Sequence, residues 1–154
     1  MTIGIVVHSH TGHTLSVARR LAEELSASGH AVTLEPLETV GPANPSAETA
    51  ALKSPPPIDP YDVLVLGSPV NGGRMSGAMR SYLDQIPSLE GKRVAILLTH
   101  LLPHAWGARQ TIEQMTEVCE SKGATVIGTA DVRWSSLRRR RQIAEAVQKL
   151  SELF

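Results

Sequence analysis

Five apolar runs of strand length alternate along this chain with segments of helical period: Ile3 to Val7, Ala31 to Glu35, Val63 to Gly67, Arg93 to Leu98 and Thr125 to Asp131. Strands buried on both faces read as continuous apolar runs, and the crossovers that parallel pairing requires are usually helices. The pattern therefore predicts an α/β fold with a parallel sheet covered on both sides. The first helical segment sets Ala18, Leu21, Ala22 and Leu25 on one face and stops at Gly29. A later one follows Ser76 with Met79, Leu83 and Ile86 inward, the next carries Ala108, Ile112, Met115 and Cys119 before Gly123, and the last carries Ile143, Val147, Leu150 and Phe154. These stripes read as core.

The stretch from Pro36 to Pro60 breaks the rhythm, because it holds seven of the ten prolines. Its only helix-like piece is Ser46 to Lys53, with Asn44 as cap and Pro45 at a favourable first position, so the second helix is expected to be short. Pro55-Pro56-Pro57 reads as a stiff connector without donors for a helix.

With 154 residues, 42% of them hydrophobic and 19% charged, the composition fits one globular domain with a full core. Fifteen Lys and Arg balance fifteen Asp and Glu, and the resulting formal charge of zero offers no polyelectrolyte field for nucleic acid or a membrane surface. The apolar run at the N-terminus is too short for a signal peptide or a membrane span, which leads to an expected cytoplasmic location. The single Cys119 cannot form an internal disulfide, in keeping with a reducing compartment, and its helical spacing points to packing.

The first apolar run leads directly into Ser9-His10-Thr11-Gly12-His13-Thr14 and then into a helix. Unpaired N–H groups at a helix start attract anions, the helix dipole reinforces them, and the hydroxyls of Ser9, Thr11 and Thr14 add donors. The loop is thus suited to a phosphate. It lacks the lysine of a Walker loop and the glycine spacing of a dinucleotide fingerprint. Its plain alternative is a threonine-rich cap on an ordinary strand-to-helix turn.

Residue by residue, the segment resembles the flavodoxin phosphate signature, through Ile5, Val6, Val7, Ser9, Gly12, Thr14, Ala18 and Leu21. Only Val7 departs, at the place where the family has an aromatic ring. The resemblance implies a three-layer flavodoxin-like sandwich with a five-stranded parallel sheet of order 2-1-3-4-5, binding FMN noncovalently at the C-terminal strand ends. It assigns the FMN phosphate to Ser9, His10, Thr11, Gly12, His13 and Thr14. After the third strand, Pro69, Val70, Asn71, Gly72 and Gly73 stand where flavodoxins and related quinone reductases line the isoalloxazine, with the Asn71-Gly72-Gly73 backbone near flavin N5; the plain alternative is an Asn-Gly turn. After the fourth strand, Thr99, His100, Trp106 and Gly107 replace a more glycine-rich run. Trp106 there serves either as the flat wall against the ring or as a packing anchor.

Five of the six histidines, His8, His10, His13, His100 and His104, fall after the first and fourth strands on the expected ligand edge. No carboxylate or thiol in the sequence nearby joins them, so a metal site is not expected; mildly positive imidazoles beside a phosphate and an anionic ring are the simpler reading, and plain loop polarity is its alternative. Arg138 to Arg141 open the last helix, where cations oppose the dipole. They read either as a solvated face or as a dock for an acidic redox partner or the phosphates of NADPH.

The function expected from the resemblance is electron transfer through FMN. Three versions remain open: an electron carrier serving a redox protein partner, an NAD(P)H-dependent reductase of quinone-like acceptors, and a flavodoxin-shaped interaction module without cofactor. A phosphorylated receiver is disfavoured, because His8 and Ser9 occupy the place of its acidic pair.

Overall fold

In the computed structural model, which describes Met1–Phe154, five parallel strands form the core of one sheet. They are β1 (Thr2–Val7), β2 (Ala31–Pro36), β5 (Val63–Asn71), β7 (Arg93–His100) and β8 (Thr125–Arg133), side by side in the order β2-β1-β5-β7-β8. Numbering only these five gives 2-1-3-4-5, as expected. The register is regular from Ile3 against Val63 to Val7 against Gly67, and β8 carries a bulge where Val94 faces Val126 but Ala95 faces Gly128.

Period-two alternation splits the apolar residues between two cores. Ile3, Ile5, Val7, Val63, Val65, Ala95 and Leu97 face one way and are covered by α1 (His13–Ala27) and α4 (Arg139–Ser151). Val6, Leu64, Leu66, Val94, Ile96 and Leu98 face the other way beneath α2 (Gly77–Gln85) and α3 (Ala108–Ser121). Leu21 and Leu25 of α1, Met79 and Leu83 of α2, Met115 and Cys119 of α3 and Leu150 of α4 are all fully buried. Cys119 is packing, not chemistry: burial, with the nearby Glu120 charge, pushes its thiol up to about 12.

Two features depart from the sequence reading. Ser46 to Lys53 forms no helix. Asn44 accepts the Ser46 N–H on its side chain and the Ala47 N–H on its carbonyl, closing a turn around Pro45, and Leu52–Lys53 becomes a two-residue strand β4 pairing with β3 (Glu38–Thr39). Arg74 ties this connection down, through an ion pair with Glu48 at 2.8 Å and a bond to the Ser46 carbonyl at 3.0 Å. Local turn chemistry and a distant arginine override a helix too short to stand alone.

The second departure is at the ligand edge. The third core strand continues past Gly67 to Asn71 and folds back as β6 (Arg74–Met75), with Val70 opposite Met75 and Asn71 opposite Arg74. Gly72 and Gly73 carry φ of 59° and 77°, the left-handed values that both central residues of a type I′ hairpin need. The expected glycine loop is therefore a tight hairpin. Ser76 then caps α2, its hydroxyl accepting the Met79 N–H at 3.2 Å.

Candidate functional site at the carboxyl ends of the strands

A cleft of about 400 Å³ opens at the carboxyl ends of the central strands, beside the β1/β5 switch. Three walls come from the predicted segments: Ser9, His10, Thr11, His13 and Thr14 from the first loop; Pro69, Val70, Asn71, Gly72 and Gly73 from the hairpin; Thr99, His100 and Trp106 from the loop after β7. Gly12 and Gly107 do not line it directly. Gly12, at φ 85°, turns the chain into α1, and Gly107 lies against the hairpin, where an added Cβ would sit 3.3 Å from the Gly73 Cα.

The floor of the first loop has the features of an anion cradle. The first hydrogen bond into α1 runs from the Ser16 N–H to the Gly12 carbonyl at 2.9 Å, so the N–H groups just before Ser16 have no helical acceptor. No side chain caps this helix and no acidic residue stands in its first turn. Ser9 Oγ is buried without any hydrogen-bond partner, alone among the buried side-chain polar atoms. An orphaned hydroxyl beside an uncapped helix start suits a phosphate, which supplies acceptors for both. Thr14 Oγ1 and Thr99 Oγ1 lie 2.7 Å apart. That bond uses one proton and leaves the other hydroxyl's proton available.

The apolar part of the lining is Val70, Leu101, Leu102, Trp106 and Trp134. Trp106 is 69% exposed. Trp134, by contrast, is already engaged: the His13 ring stacks on it at 4.1 Å and 12°, and the Arg139 guanidinium lies 4.9 Å from its ring centre. Trp106 is thus the aromatic left free to cover a flat ligand.

The histidines separate in space. His8 is buried and turned from the cleft to Ser76 Oγ, 2.8 Å from its Nδ1; burial, helped by His10, lowers its imidazole to about 4. His10 lies 3.1 Å from Asn71 Nδ2 through its Nε2, and burial lowers it too. His13 is lowered by burial and by the Arg139 charge. In this structure, then, all three imidazoles are shifted toward their neutral form.

His100 and His104 do meet a carboxylate, contrary to the sequence reading. Asp131, on β8, lies 2.6 Å from His100 Nε2 through Oδ2 and 3.0 Å from His104 Nδ1 through Oδ1. Burial alone would raise the Asp131 carboxyl, but the hydrogen bonds and charges of the two histidines outweigh it and leave the carboxyl below its ordinary value. No group of three or more His, Cys, Asp or Glu side chains is arranged to hold a metal ion.

Sequence reasoning missed Pro45, Leu101, Leu102 and Trp134 in the lining and Asp131 behind it. Trp134 carried a usable signal, being a tryptophan just past the last strand on the ligand edge of a chain with 3% aromatic residues. Asp131, an acid near the end of the last strand, carried a weaker one.

Comparison with known proteins agrees with this architecture. The chain is 26% identical over 142 residues to an NAD(P)H dehydrogenase (quinone) of Archaeoglobus fulgidus, an alignment spanning 80% of this chain and 74% of that protein. The fold superposes on a Streptococcus pneumoniae flavodoxin with TM-score 0.69 at 17% identity over 100% of both chains. It also superposes on a Lactobacillus acidophilus flavoprotein solved with FMN, with TM-score 0.67 at 16% identity over 94% of this chain and 97% of the other. No helix is long and apolar enough to cross a membrane. The sequence profile of the flavodoxin domain matches residues 4–128, and the chain belongs to that family.

Proposed function

We propose that this protein binds one FMN noncovalently in the cleft and passes electrons through it. The observation that carries the reading is the orphaned Ser9 hydroxyl beside the uncapped start of α1. Ser9, the α1 N–H groups and the Thr14–Thr99 pair would hold the phosphate. Trp106 would cover the ring, and the Asn71–Gly73 hairpin would approach its edge. The flavin, when bound, supplies the electron chemistry; the protein supplies binding, orientation and exclusion of water.

Flavin fluorescence quenching tests the assignment. FMN should bind well and riboflavin much more weakly. Gly12→Asp, which puts a carboxylate at the helix start in a left-handed backbone position, should lower FMN affinity by about tenfold or more, while Ser9→Ala has a smaller effect in the same direction. Equal affinities for FMN and riboflavin would remove the phosphate from this loop.

A second reading, an NAD(P)H-dependent reductase of quinone-like acceptors, is favoured by the Archaeoglobus fulgidus relative and by the formal charge of zero. Steady-state NAD(P)H oxidation by the FMN-loaded protein, with and without a quinone, separates it from a carrier. Quinone-dependent turnover supports the reductase.

A further inference from the structure

The loop Leu101–Gly107 carries Leu101, Leu102 and Trp106 into the cleft, yet these three side chains are 61%, 57% and 69% exposed and have little packing of their own. Polar bonds hold the loop instead. His100, the last residue of β7, bonds at Nδ1 to the Leu102 carbonyl at 2.5 Å and at Nε2 to Asp131 at 2.6 Å. His104, in the single helical turn His104–Trp106, bonds to the other oxygen of the same carboxylate at 3.0 Å. Both Asp131 oxygens are therefore spent, one on the strand end that opens this loop and one on the helical turn within it.

We infer that Asp131 is a positioning residue for the ligand ring: without lining the cleft, its carboxylate clamps the Leu101–Trp106 wall to the end of β8 and so presets the surface that covers the ring. The clamp is bidentate: its His100 arm is largely buried, with the Asp131 side chain 21% and the His100 side chain 4% exposed, so that bond is not dissipated in water as a surface pair is, while the half-exposed His104 makes the weaker arm. Neighbouring contacts brace the same loop. Arg133 and Ser135 both bond to the Leu101 carbonyl, at 3.2 Å and 2.5 Å. Gln110 bonds to the Ala105 carbonyl at 3.2 Å. The Asp131 carboxylate alone reaches both the strand end and the helical turn. A preset wall binds a flat ligand more tightly, because the ordering entropy is lost on folding instead of on binding.

The inference rests on reading the cleft as the ring site, and two measurements keep the two apart. The first is hydrogen exchange in the ligand-free protein. Asp131→Asn, which keeps the shape but removes the charge, should speed exchange in Leu101–Gly107 and leave the β1, β5 and β7 amides protected. Asp131→Glu should restore part of the protection. The second is flavin affinity. Asp131→Asn should weaken FMN and riboflavin by the same factor, about tenfold for loss of a charge-assisted bond, since the wall touches the ring and not the phosphate. If Asp131→Asn disturbs the whole fold, the exposed His104→Gln removes one arm of the clamp and should show a smaller change of the same kind.

Unchanged exchange in Leu101–Gly107 with both Asp131→Asn and His104→Gln would overturn the clamp. Faster exchange with unchanged flavin affinities would overturn its role in positioning. Failure of the wild-type protein to bind FMN at all would overturn the proposed function, while the exchange result would still decide whether the clamp exists.

Discussion

A histidine buried in its neutral form is a liability in acid, and His8 makes this measurable. Its imidazole is lowered to about 4 in the fold, with burial as the main cause, while an unfolded chain leaves it near 6.5. Between these values the unfolded state binds a proton that the folded state refuses, so stability falls as pH drops from about 6.5 to about 4 and changes little further on this account below that. The full difference is on the order of 3 kcal/mol. Asp131 acts in the same direction lower down: its depressed carboxyl contributes stability that is present above the ordinary carboxylate range and lost as pH falls through its folded value. Chemical denaturation at a series of pH values should show the first decline in wild type. His8→Asn, which cannot take up the proton, should lose the part between neutrality and pH about 4 while costing some stability at pH 7 through its lost packing. A decline of equal size in both proteins would mean that His8 is not buried in its neutral form.

At the scale of elements, the hairpin Val70–Met75 forms one wall of the cleft. Both glycines at its tip take left-handed φ, and an added Cβ at Gly72 would meet nothing within 4 Å, so a side chain there has space but the wrong backbone. Gly72→Val should strain the turn by about 1–3 kcal/mol. The expected outcome is a changed spacing between the two one-electron potentials of the bound flavin with FMN affinity less affected, because the proposed phosphate cradle lies in the first loop. Potentiometric titration checks this, and unchanged potentials would take the hairpin away from the ring. The hairpin also shows what the sequence could reveal. The five core strands were legible because burial on two faces leaves an apolar run that needs no partner to be recognised, and the first wall of the cleft because Ser9 to Thr14 are adjacent in sequence. Ser46 to Lys53 was misread because its contacts are distant in sequence, Ser46 and Glu48 with Arg74 and the Ala50 N–H with Ser81. Asp131 was missed for the same reason, lying 31 and 27 residues from the histidines it binds. Contacts of that range are made by the fold and leave no local period.

At the scale of the whole molecule, a formal charge of zero conceals an uneven distribution next to the cleft. Of the arginines at the start of α4, Arg141 is paired with Glu145 at 3.1 Å, and Arg139 is held over Trp134 and bonded to its carbonyl at 3.0 Å. Arg138 and Arg140 are exposed, and neither side chain has an acidic partner. They follow Leu137, which is fully exposed, and Trp134, which lines the cleft, so a charged group that docks against this edge would come close to the bound ring. Exposed charges act only within a Debye length, which shrinks from about 10 Å at 0.1 M salt to about 3 Å at 1 M. If these two guanidinium groups receive the extra phosphate of NADPH, reduction by NADPH should slow as salt rises, and reduction by NADH should respond less. Arg138→Glu with Arg140→Glu should slow the NADPH reaction at low salt and flatten its salt dependence, with FMN affinity unchanged. An acidic protein donor should show the same pattern if it docks on this edge. Stopped-flow reduction at several salt concentrations measures all of these, and rates unaffected by the double substitution with every donor would make the arginine run a solvated helix face.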